Sequence, residues 1–204
     1  MIDCWLERKL IKKGFRAVAG VDEAGRGALF GPVVAAAVIL PDSLFKEEMA
    51  EWGKEINDCK LLSAATRERL AKIILTYAVS VGMGFANNHE IDQKNIYWAS
   101  LTAMKRAVKN MSINPDFLLV DGFCLNGVNC RQIAIPQGDR KSLTIAAASV
   151  MAKVFRDEMI CRLDKIYQGY ALAKNKGYGT PEHYRALEKM GPTSLHRRSF
   201  KLQR

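Results

Sequence analysis

The stretch "GVDEAGRGALFGP", residues 20–32, decides the fold and raises the question of function. An apolar run at residues 17–21 predicts a buried strand, which ends on two adjacent carboxylates, Asp22 and Glu23. Because successive side chains of a strand point to opposite faces, only an unusual turn or a bound metal would use both acids. A glycine-rich turn at residues 25–27 follows at once.

Apolar patterns along the rest of the chain predict further strands. Residues 32–40 predict a strand buried on both faces, and residues 77–86 predict a half-buried strand. The alternating apolar side chains of this third strand are Val79, Val81, Met83 and Phe85. Two shorter strands are predicted at 116–122 and 131–139, and each ends on an acid.

Helical periodicity is found in four other segments. Ser63 is expected to cap the first helix, whose stripe is Leu70, Ile73, Ile74 and Tyr77. The second helix has an apolar face of Leu101, Met104, Val108 and Met111. The third spans 142–166 with a core face of Ala152, Phe155, Met159, Leu163 and Ile166, and a short fourth helix spans 181–190. This order predicts an α/β fold with a mixed central β-sheet flanked by helices and a short helical C-terminal segment.

Acids lie at three predicted strand ends: Asp22 with Glu23, Asp121, and Asp139. Sites in such sheets gather outside the strand ends, so these carboxylates are expected to meet there. Carboxylates held together repel one another, and a divalent cation such as Mg²⁺ removes that penalty. Two such ions about 4 Å apart can hold the attacking water and the leaving oxygen of a phosphodiester in line. A lone acid such as Asp121 often only caps a turn, so the adjacent pair carries this interpretation.

The turn Gly25-Arg26-Gly27 has neither the G-x-G-x-x-G spacing of a dinucleotide site nor the lysine and Ser/Thr of a P-loop. Its glycines leave backbone N–H and C=O groups open to close approach by a ligand. Arg26 adds a guanidinium group, whose geometry and charge suit the binding of phosphate. The turn is therefore expected to clear space for a nucleic-acid strand next to the acids.

Basic residues are concentrated at both ends of the chain, whose net charge is +10. Residues 1–16 carry five basic and two acidic side chains, and residues 171–204 carry eight and two. Such a surplus attracts polyanions, nucleic acid first among them, although a merely solvated surface remains an alternative. Arg197 and Arg198 are expected either to hold a duplex or to pair with acids of the core.

Length and composition fit one globular domain, since the chain has 204 residues of which 49% are apolar. No apolar run approaches a membrane span or a signal-peptide core, so a cytoplasmic protein with no membrane partner is expected. The five cysteines are scattered and make no zinc-like spacing with the three histidines. Reduced thiols are therefore expected.

Motifs along the chain resemble those of the ribonuclease HII family. In order they are "AGVDEAGRG", "GPVVAAAVIL", "NDCKLLS", "LLVDG", "QGDRKSLTIAAASVMAKVFRD", "KGYGTPEHYRAL" and "GPTSLHRRSF", and the resemblance extends over residues 18–200. The resemblance implies a ribonuclease H-like fold and a metal-dependent endoribonuclease that hydrolyses the RNA strand of RNA–DNA hybrids. It also implies incision 5′ of single ribonucleotides in duplex DNA, leaving 3′-OH and 5′-phosphate ends. The implied cofactors are two divalent cations, Mg²⁺ or Mn²⁺.

The resemblance carries site roles over to matching residues of this chain. The metal-binding and catalytic acids would be Asp22, Glu23, Asp121 and Asp139. Asp157, in the "RD" pair of the following helix, would be a supporting catalytic carboxylate and ranks below Asp139 as the fourth acid.

Substrate-binding roles are carried over in the same way. Gly25, Arg26 and Gly27 match the loop that senses the ribose 2′-OH, and Tyr178 matches a tyrosine that stacks on the neighbouring deoxyribose. Lys60 matches a phosphate-contacting lysine. The chain departs from the family pattern at Cys59, where serine is usual, and at Ala28 and Phe30, where proline and alanine are usual. The first departure could weaken a phosphate contact, and none of them touches the acids.

The expected organisation is a basic N-terminal extension (1–16), a catalytic domain (17–170) and a basic C-terminal segment (171–204) packed on that domain. A monomer that binds RNA–DNA hybrid and ribonucleotide-containing duplex DNA is expected. Two alternatives are a nucleic-acid-binding module that has lost catalysis and a nucleotide-binding switch protein. The presence of all four acids disfavours the first, and the lack of P-loop residues disfavours the second.

Overall fold

The computed structural model describes residues 4–45, 51–56 and 62–203. Its helices are α1 (Trp5–Lys12), α2 (Glu51–Glu55), α3 (Ala64–Tyr77), α4 (Asn88–Lys109), α5 (Leu143–Asp164), α6 (Leu172–Asn175) and α7 (Pro181–Met190). Its strands are β1 (Val18–Ala24), β2 (Val33–Ile39), β3 (Ser80–Ala86), β4 (Phe117–Asp121) and β5 (Arg131–Ile135). Short 3-10 turns lie at Asp42–Phe45 and Gly138–Arg140. Every predicted strand and helix is present with slightly shifted ends.

The strands form one five-stranded sheet in the order β3-β2-β1-β4-β5. The strand β1 is antiparallel to β2 and parallel to β4, so the sheet is mixed, as predicted. Val21 of β1 lies opposite Val120 of β4. The acids that follow these two residues, Asp22 and Asp121, therefore reach the same edge of the sheet.

The helix α5 packs across the centre of the sheet, and residues 143–152 are all buried. Its N-terminus is capped by Ser142, whose side chain accepts a hydrogen bond from the Ile145 N–H. Gly20 makes this packing possible, because a Cβ there would lie 2.1 Å from the carbonyl carbon of Thr144. The first half of α5 is thus fixed on the strand that carries Asp22.

The structure corrects the predicted burial of β3. The buried side of this edge strand consists of Ser80, Gly82, Gly84 and Ala86, whereas Val79 and Phe85 are about half exposed. The glycines allow α4 to approach closely, since a Cβ on Gly82 would lie 2.1 Å from the Ala107 carbonyl oxygen. The predicted alternation is therefore present, but the fully buried face carries the small side chains, and Val81 and Met83 on the predicted face are only partly buried.

The predicted core face of α5 is only partly correct beyond Ala152: Leu163 packs against the core, but two other predicted members do not. Phe155 is 42% exposed and Ile166 is 72% exposed, whereas Arg156 and Ile160 are completely buried. The buried face is rotated by one residue because Arg156 finds hydrogen-bond partners in the interior, as described below.

The helix α1 packs against the start of α5 through a buried acid. One Glu7 carboxylate oxygen accepts hydrogen bonds from the Ser142 hydroxyl at 2.6 Å and from the Thr144 N–H and hydroxyl at 3.1 and 3.0 Å. The described part of the basic N-terminal extension is therefore attached to the helix that supports the site. No helix in the described ranges combines the length and apolarity needed to cross a membrane.

Candidate metal and nucleic-acid site

Three of the predicted acids lie together at the sheet edge. Asp22 and Glu23 at the end of β1 and Asp121 at the end of β4 each offer a carboxylate oxygen within 4.8 Å of the other two. Asp22 is buried, and Glu23 and Asp121 are partly buried. The parallel pairing of β1 with β4 produces this acidic cluster, which hereafter means these three residues.

Neighbouring groups orient the cluster. Asp22 accepts a hydrogen bond from the Glu23 N–H, and Asp121 accepts one from the Gly138 N–H, both at 2.7 Å. One Glu23 carboxylate oxygen accepts from Arg26 at 3.0 Å. The other, Oε2, is buried and has no hydrogen-bond partner among the described residues. A buried, unpaired carboxylate oxygen is unfavourable unless a ligand meets it.

Burial and mutual repulsion raise the pKa values of the cluster. Burial raises the pKa of Asp22 well above its ordinary value, and the charges of Glu23 and Asp121 raise it further. Burial also raises the pKa of Glu23, against the lowering effect of its hydrogen bond to Arg26. Without a cation the cluster therefore resists full ionisation.

The other two predicted acids lie outside the cluster. The strand predicted to end on Asp139 ends at Ile135, and Asp139 is buried in the following 3-10 turn, next to the Gly138 N–H that contacts Asp121. Asp157, on α5, pairs with Lys153 at 2.9 Å. The roles of Asp139 and Asp157, and the ranking of Asp139 above Asp157, stay predictions.

A cleft of about 680 Å³ joins the acidic cluster to the predicted substrate-binding loop. Its lining comprises Asp22, Glu23, Ala24, Gly25, Arg26, Gly27, Arg67, Asp121, Ser149, Lys153 and Tyr178. Sequence reasoning missed two basic residues in this cleft, Arg67 and Lys153, because solvent-facing helix positions are commonly basic. Lys60 lies outside the described residues, as does Cys59.

The loop at Gly25 to Gly27 lies beside the Tyr178 loop. Ala28 forms an isolated β-bridge with Tyr178, and the Leu29 N–H donates to the Gly177 carbonyl at 2.8 Å. Gly25 has a φ of +94°, and a Cβ there would lie 2.0 Å from Arg156 Nε. Glycine is thus required at this position both for the backbone conformation and for space.

Two buried arginines hold these loops, and neither was predicted to do so. Arg156 donates to the carbonyls of Pro32, Lys176 and Phe30 at 3.1, 2.9 and 3.1 Å. Arg197 donates to the carbonyls of Gly31 and Arg26 at 2.9 and 2.8 Å. Their partners are remote in sequence, so no local pattern could have indicated them.

The burial of Arg197 corrects the prediction for the C-terminal charges. Arg197 is completely buried and its guanidinium donates to backbone carbonyls, so it neither faces a duplex nor pairs with core acids. Burial, and then the charge of Arg156, lowers the pKa of Arg197 to about 9. Arg198 is exposed, and its backbone N–H donates to Asp92 at 2.9 Å.

Tyr178, which lines the cleft, has two cations close to its ring. The Lys153 ammonium is 5.1 Å from the centre of its ring, and the Arg156 guanidinium carbon is 5.4 Å from it. Such cation–π contacts help to orient an aromatic ring.

Known proteins resemble this chain over nearly its whole length. The sequence model described as Ribonuclease HII matches residues 19–203. The chain belongs to the ribonuclease HII family. The ribonuclease HII of Moorella thermoacetica is 48% identical over 195 residues, which are 96% of this chain and 91% of the relative. That of Caldanaerobacter subterraneus subsp. tengcongensis is 47% identical over 194 residues, 95% of this chain and 78% of the relative.

The fold is shared with solved members of the group. The crystal structure of the ribonuclease H2 from Pyrococcus horikoshii OT3 matches with a TM-score of 0.74 at 24% identity, covering 91% of this chain and 94% of the other. The predicted ribonuclease H-like fold is therefore confirmed. The chain is a hydrolytic nuclease of the ribonuclease H type.

Proposed function

We propose that the chain is an endonuclease that hydrolyses the RNA strand of RNA–DNA hybrids and incises 5′ of single ribonucleotides in duplex DNA. Its products would carry 3′-OH and 5′-phosphate ends. The observation that carries this proposal is the acidic cluster, three carboxylates within 4.8 Å of one another, beside the glycine turn in one cleft. Membership of the ribonuclease HII family supports it.

The acidic cluster fits divalent cations. The buried Glu23 Oε2 has no described partner, the pKa values of Asp22 and Glu23 are raised, and all the donors are hard oxygens that suit Mg²⁺ or Mn²⁺. Asp22, Glu23 and Asp121 would hold the metal, with Asp139 as a fourth ligand. Two bound cations would activate a water molecule and stabilise the leaving oxygen of the phosphodiester.

The residues of the cleft position the substrate. The Gly25–Gly27 backbone, free of side-chain bulk at its glycines, would approach the ribose 2′-OH, and Arg26 would contact a phosphate while keeping Glu23 oriented. Tyr178 would stack on the sugar that follows. All of these groups come from one chain, so a monomer is sufficient for the site.

The test is cleavage of three duplexes of one sequence: DNA with a single ribonucleotide, continuous RNA–DNA hybrid, and DNA alone. We expect metal-dependent cleavage of the first two, with the product ends mapped as above. Cleavage should disappear on chelation of the metal and in Asp22→Asn. Binding without cleavage in either Mg²⁺ or Mn²⁺ would contradict the proposal and favour a binding module.

A further inference from the structure

Two buried histidines, His183 of α7 and His196 near the C-terminus, contact each other through their Nε2 atoms at 3.0 Å. Both side chains are completely buried. Neither residue belongs to the acidic cluster or lines the cleft that contains it. The hydrogen-bond partners of the two rings indicate the role of this pair.

The outer contacts of the pair fix the position of each proton. The Thr193 N–H can only donate, and it lies 2.9 Å from His196 Nδ1, so this nitrogen accepts. His196 therefore carries its proton on Nε2 and donates to His183 Nε2. His183 in turn carries its proton on Nδ1 and donates to the Tyr178 carbonyl at 3.0 Å.

This chain of hydrogen bonds ends on the backbone of the residue proposed to sense the sugar. The Tyr178 carbonyl also accepts from the Thr180 N–H at 2.8 Å, and the Tyr178 N–H donates to Asn175 at 2.9 Å. The Tyr178 peptide is thus fixed on both sides. Because the side chain is attached to this backbone, a shift of the Tyr178 peptide would also shift the position of its ring in the cleft.

The arrangement requires both imidazoles to be neutral. A second proton on either ring would place an N–H against the Thr193 N–H or against the other ring's N–H. Burial lowers the pKa of both histidines, that of His196 to about 4, and a proton on His183 or the charge of Arg198 would oppose protonation of His196 further. The interior therefore favours the protonation state that the hydrogen bonds need.

We propose that His183 and His196 are positioning residues that hold the Tyr178 peptide and thereby set discrimination between a lone ribonucleotide and continuous hybrid. This inference rests on the proposed function, and in particular on the role of Tyr178 at the sugar next to the ribonucleotide. It assigns the histidines no contact with substrate or metal.

The test compares two variants of similar size, His183→Leu and His183→Asn. Asparagine retains a donor at the Nδ1 position and leucine does not, so the pair differs mainly in the hydrogen bond to Tyr178. Single-turnover rates are measured in Mg²⁺ on DNA with one ribonucleotide and on continuous hybrid. We expect His183→Leu to lower the ratio of the two rates about tenfold, because loss of one positioning hydrogen bond displaces the ring. His183→Asn should keep the ratio within about twofold of wild type, since its donor persists.

A double variant distinguishes positioning from general loss of structure. If His183 acts through Tyr178, then His183→Leu should not change the ratio further in a Tyr178→Ala background. Should His183→Leu fail to fold, His196→Leu serves instead, with a smaller change in the same direction. An unchanged ratio, equal changes in leucine and asparagine variants, or an additive double variant would overturn the inference. Failure of the wild type to cut either substrate would instead contradict the proposed function.

Discussion

The acidic cluster and the C-terminal clamp both bury charged or polar groups, but these groups are compensated in different ways. The clamp means Arg156, Arg197, His183 and His196. The cluster gathers groups of one charge, leaves Glu23 Oε2 without a partner among the described residues, and raises carboxyl pKa values. The clamp buries cations and imidazoles; Arg156, Arg197 and His183 donate to backbone carbonyls, and His196 donates to His183. One buried Arg197 nitrogen has no described partner, and the other buried polar atoms of the clamp have hydrogen-bond partners within the protein. The cluster, in contrast, needs a ligand.

This difference separates residues that should act on the chemical step from residues that should act on stability and on the position of Tyr178. A carboxylate of the cluster is unfavourable for the apoprotein and necessary for catalysis. A clamp residue is necessary for the fold around the cleft. Substitutions in the two regions should therefore move activity and stability in different ways.

The largest effect is expected in the cluster. Asp121→Asn should lower the single-turnover rate about a thousandfold or more, because metal placement is lost. The free energy of unfolding without metal should stay the same or rise, since a repelling charge is removed and the amide oxygen can still accept from Gly138. Glu188→Gln, on the exposed side of α7, is the control and should leave the rate unchanged. A rate near that of wild type for Asp121→Asn would remove this acid from the site.

The next effect concerns stability and uses two neighbouring arginines. Arg197→Met should lower the free energy of unfolding by about 3 kcal/mol or more, because the buried Gly31 carbonyl and the partly buried Arg26 carbonyl both lose their donor. Arg198→Met should change it by less than about 0.5 kcal/mol, since Arg198 is exposed. Urea unfolding of both variants measures the difference. Equal effects at the two positions would mean that the clamp contributes no more than the surface.

A pH dependence tests the histidines of the clamp. His196 has a pKa of about 4 in the folded protein and of about 6.5 in the unfolded chain, so between these values the unfolded chain binds more protons. The free energy of unfolding should therefore fall as the pH drops from about 6.5 towards 4, by up to about 1.4 kcal/mol per pH unit. The raised pKa values of Asp22 and Glu23 act in the opposite direction in wild type and variant alike.

The matched variant for this measurement is His196→Asn, which can still accept from the Thr193 N–H and does not titrate. Wild type should lose more stability than the variant over the same pH window, and the difference isolates His196. Identical pH profiles would show that His196 titrates normally.

The smallest effect is a change in substrate preference at the cleft. Tyr178→Ala should lower incision at a lone ribonucleotide about tenfold relative to cleavage of continuous hybrid, by analogy with stacking on a base, which contributes about 1–3 kcal/mol. Arg26→Ala should lower both rates together, because a phosphate contact serves either substrate. The ratio of rates for each variant is the measurement. If Tyr178→Ala left the ratio of the two rates unchanged, Tyr178 would have no role in junction recognition.

Local patterns were sufficient to predict the parts of the molecule that depend on neighbours in sequence. The strand that ends on Asp22 and Glu23, the Ser63 cap and the short helix that begins at Pro181 follow from residue order alone. The proximity of Asp22 and Asp121 could be predicted as well, because it requires only that the ends of two neighbouring strands lie side by side.

Features that depend on distant partners could not be predicted in this way. Arg156 is buried because the Pro32 and Lys176 carbonyls accept hydrogen bonds from its guanidinium. Apolar periodicity alone therefore predicted the wrong buried face for this part of α5. The contact between His183 and His196 joins a helix to a terminal loop. The burial of β3 was misjudged because the close approach of α4 selects glycine rather than large apolar residues.

The central claim, that the acidic cluster is completed by a divalent cation, is tested most directly by the free energy of unfolding with and without Mn²⁺. Wild type should gain stability on addition of the metal, because the cation binds only where the three carboxylates meet. Asp121→Asn should be at least as stable as wild type without metal and should gain much less with it, so that the order of stability reverses. Equal gains for the two proteins, or no gain for wild type, would contradict the account.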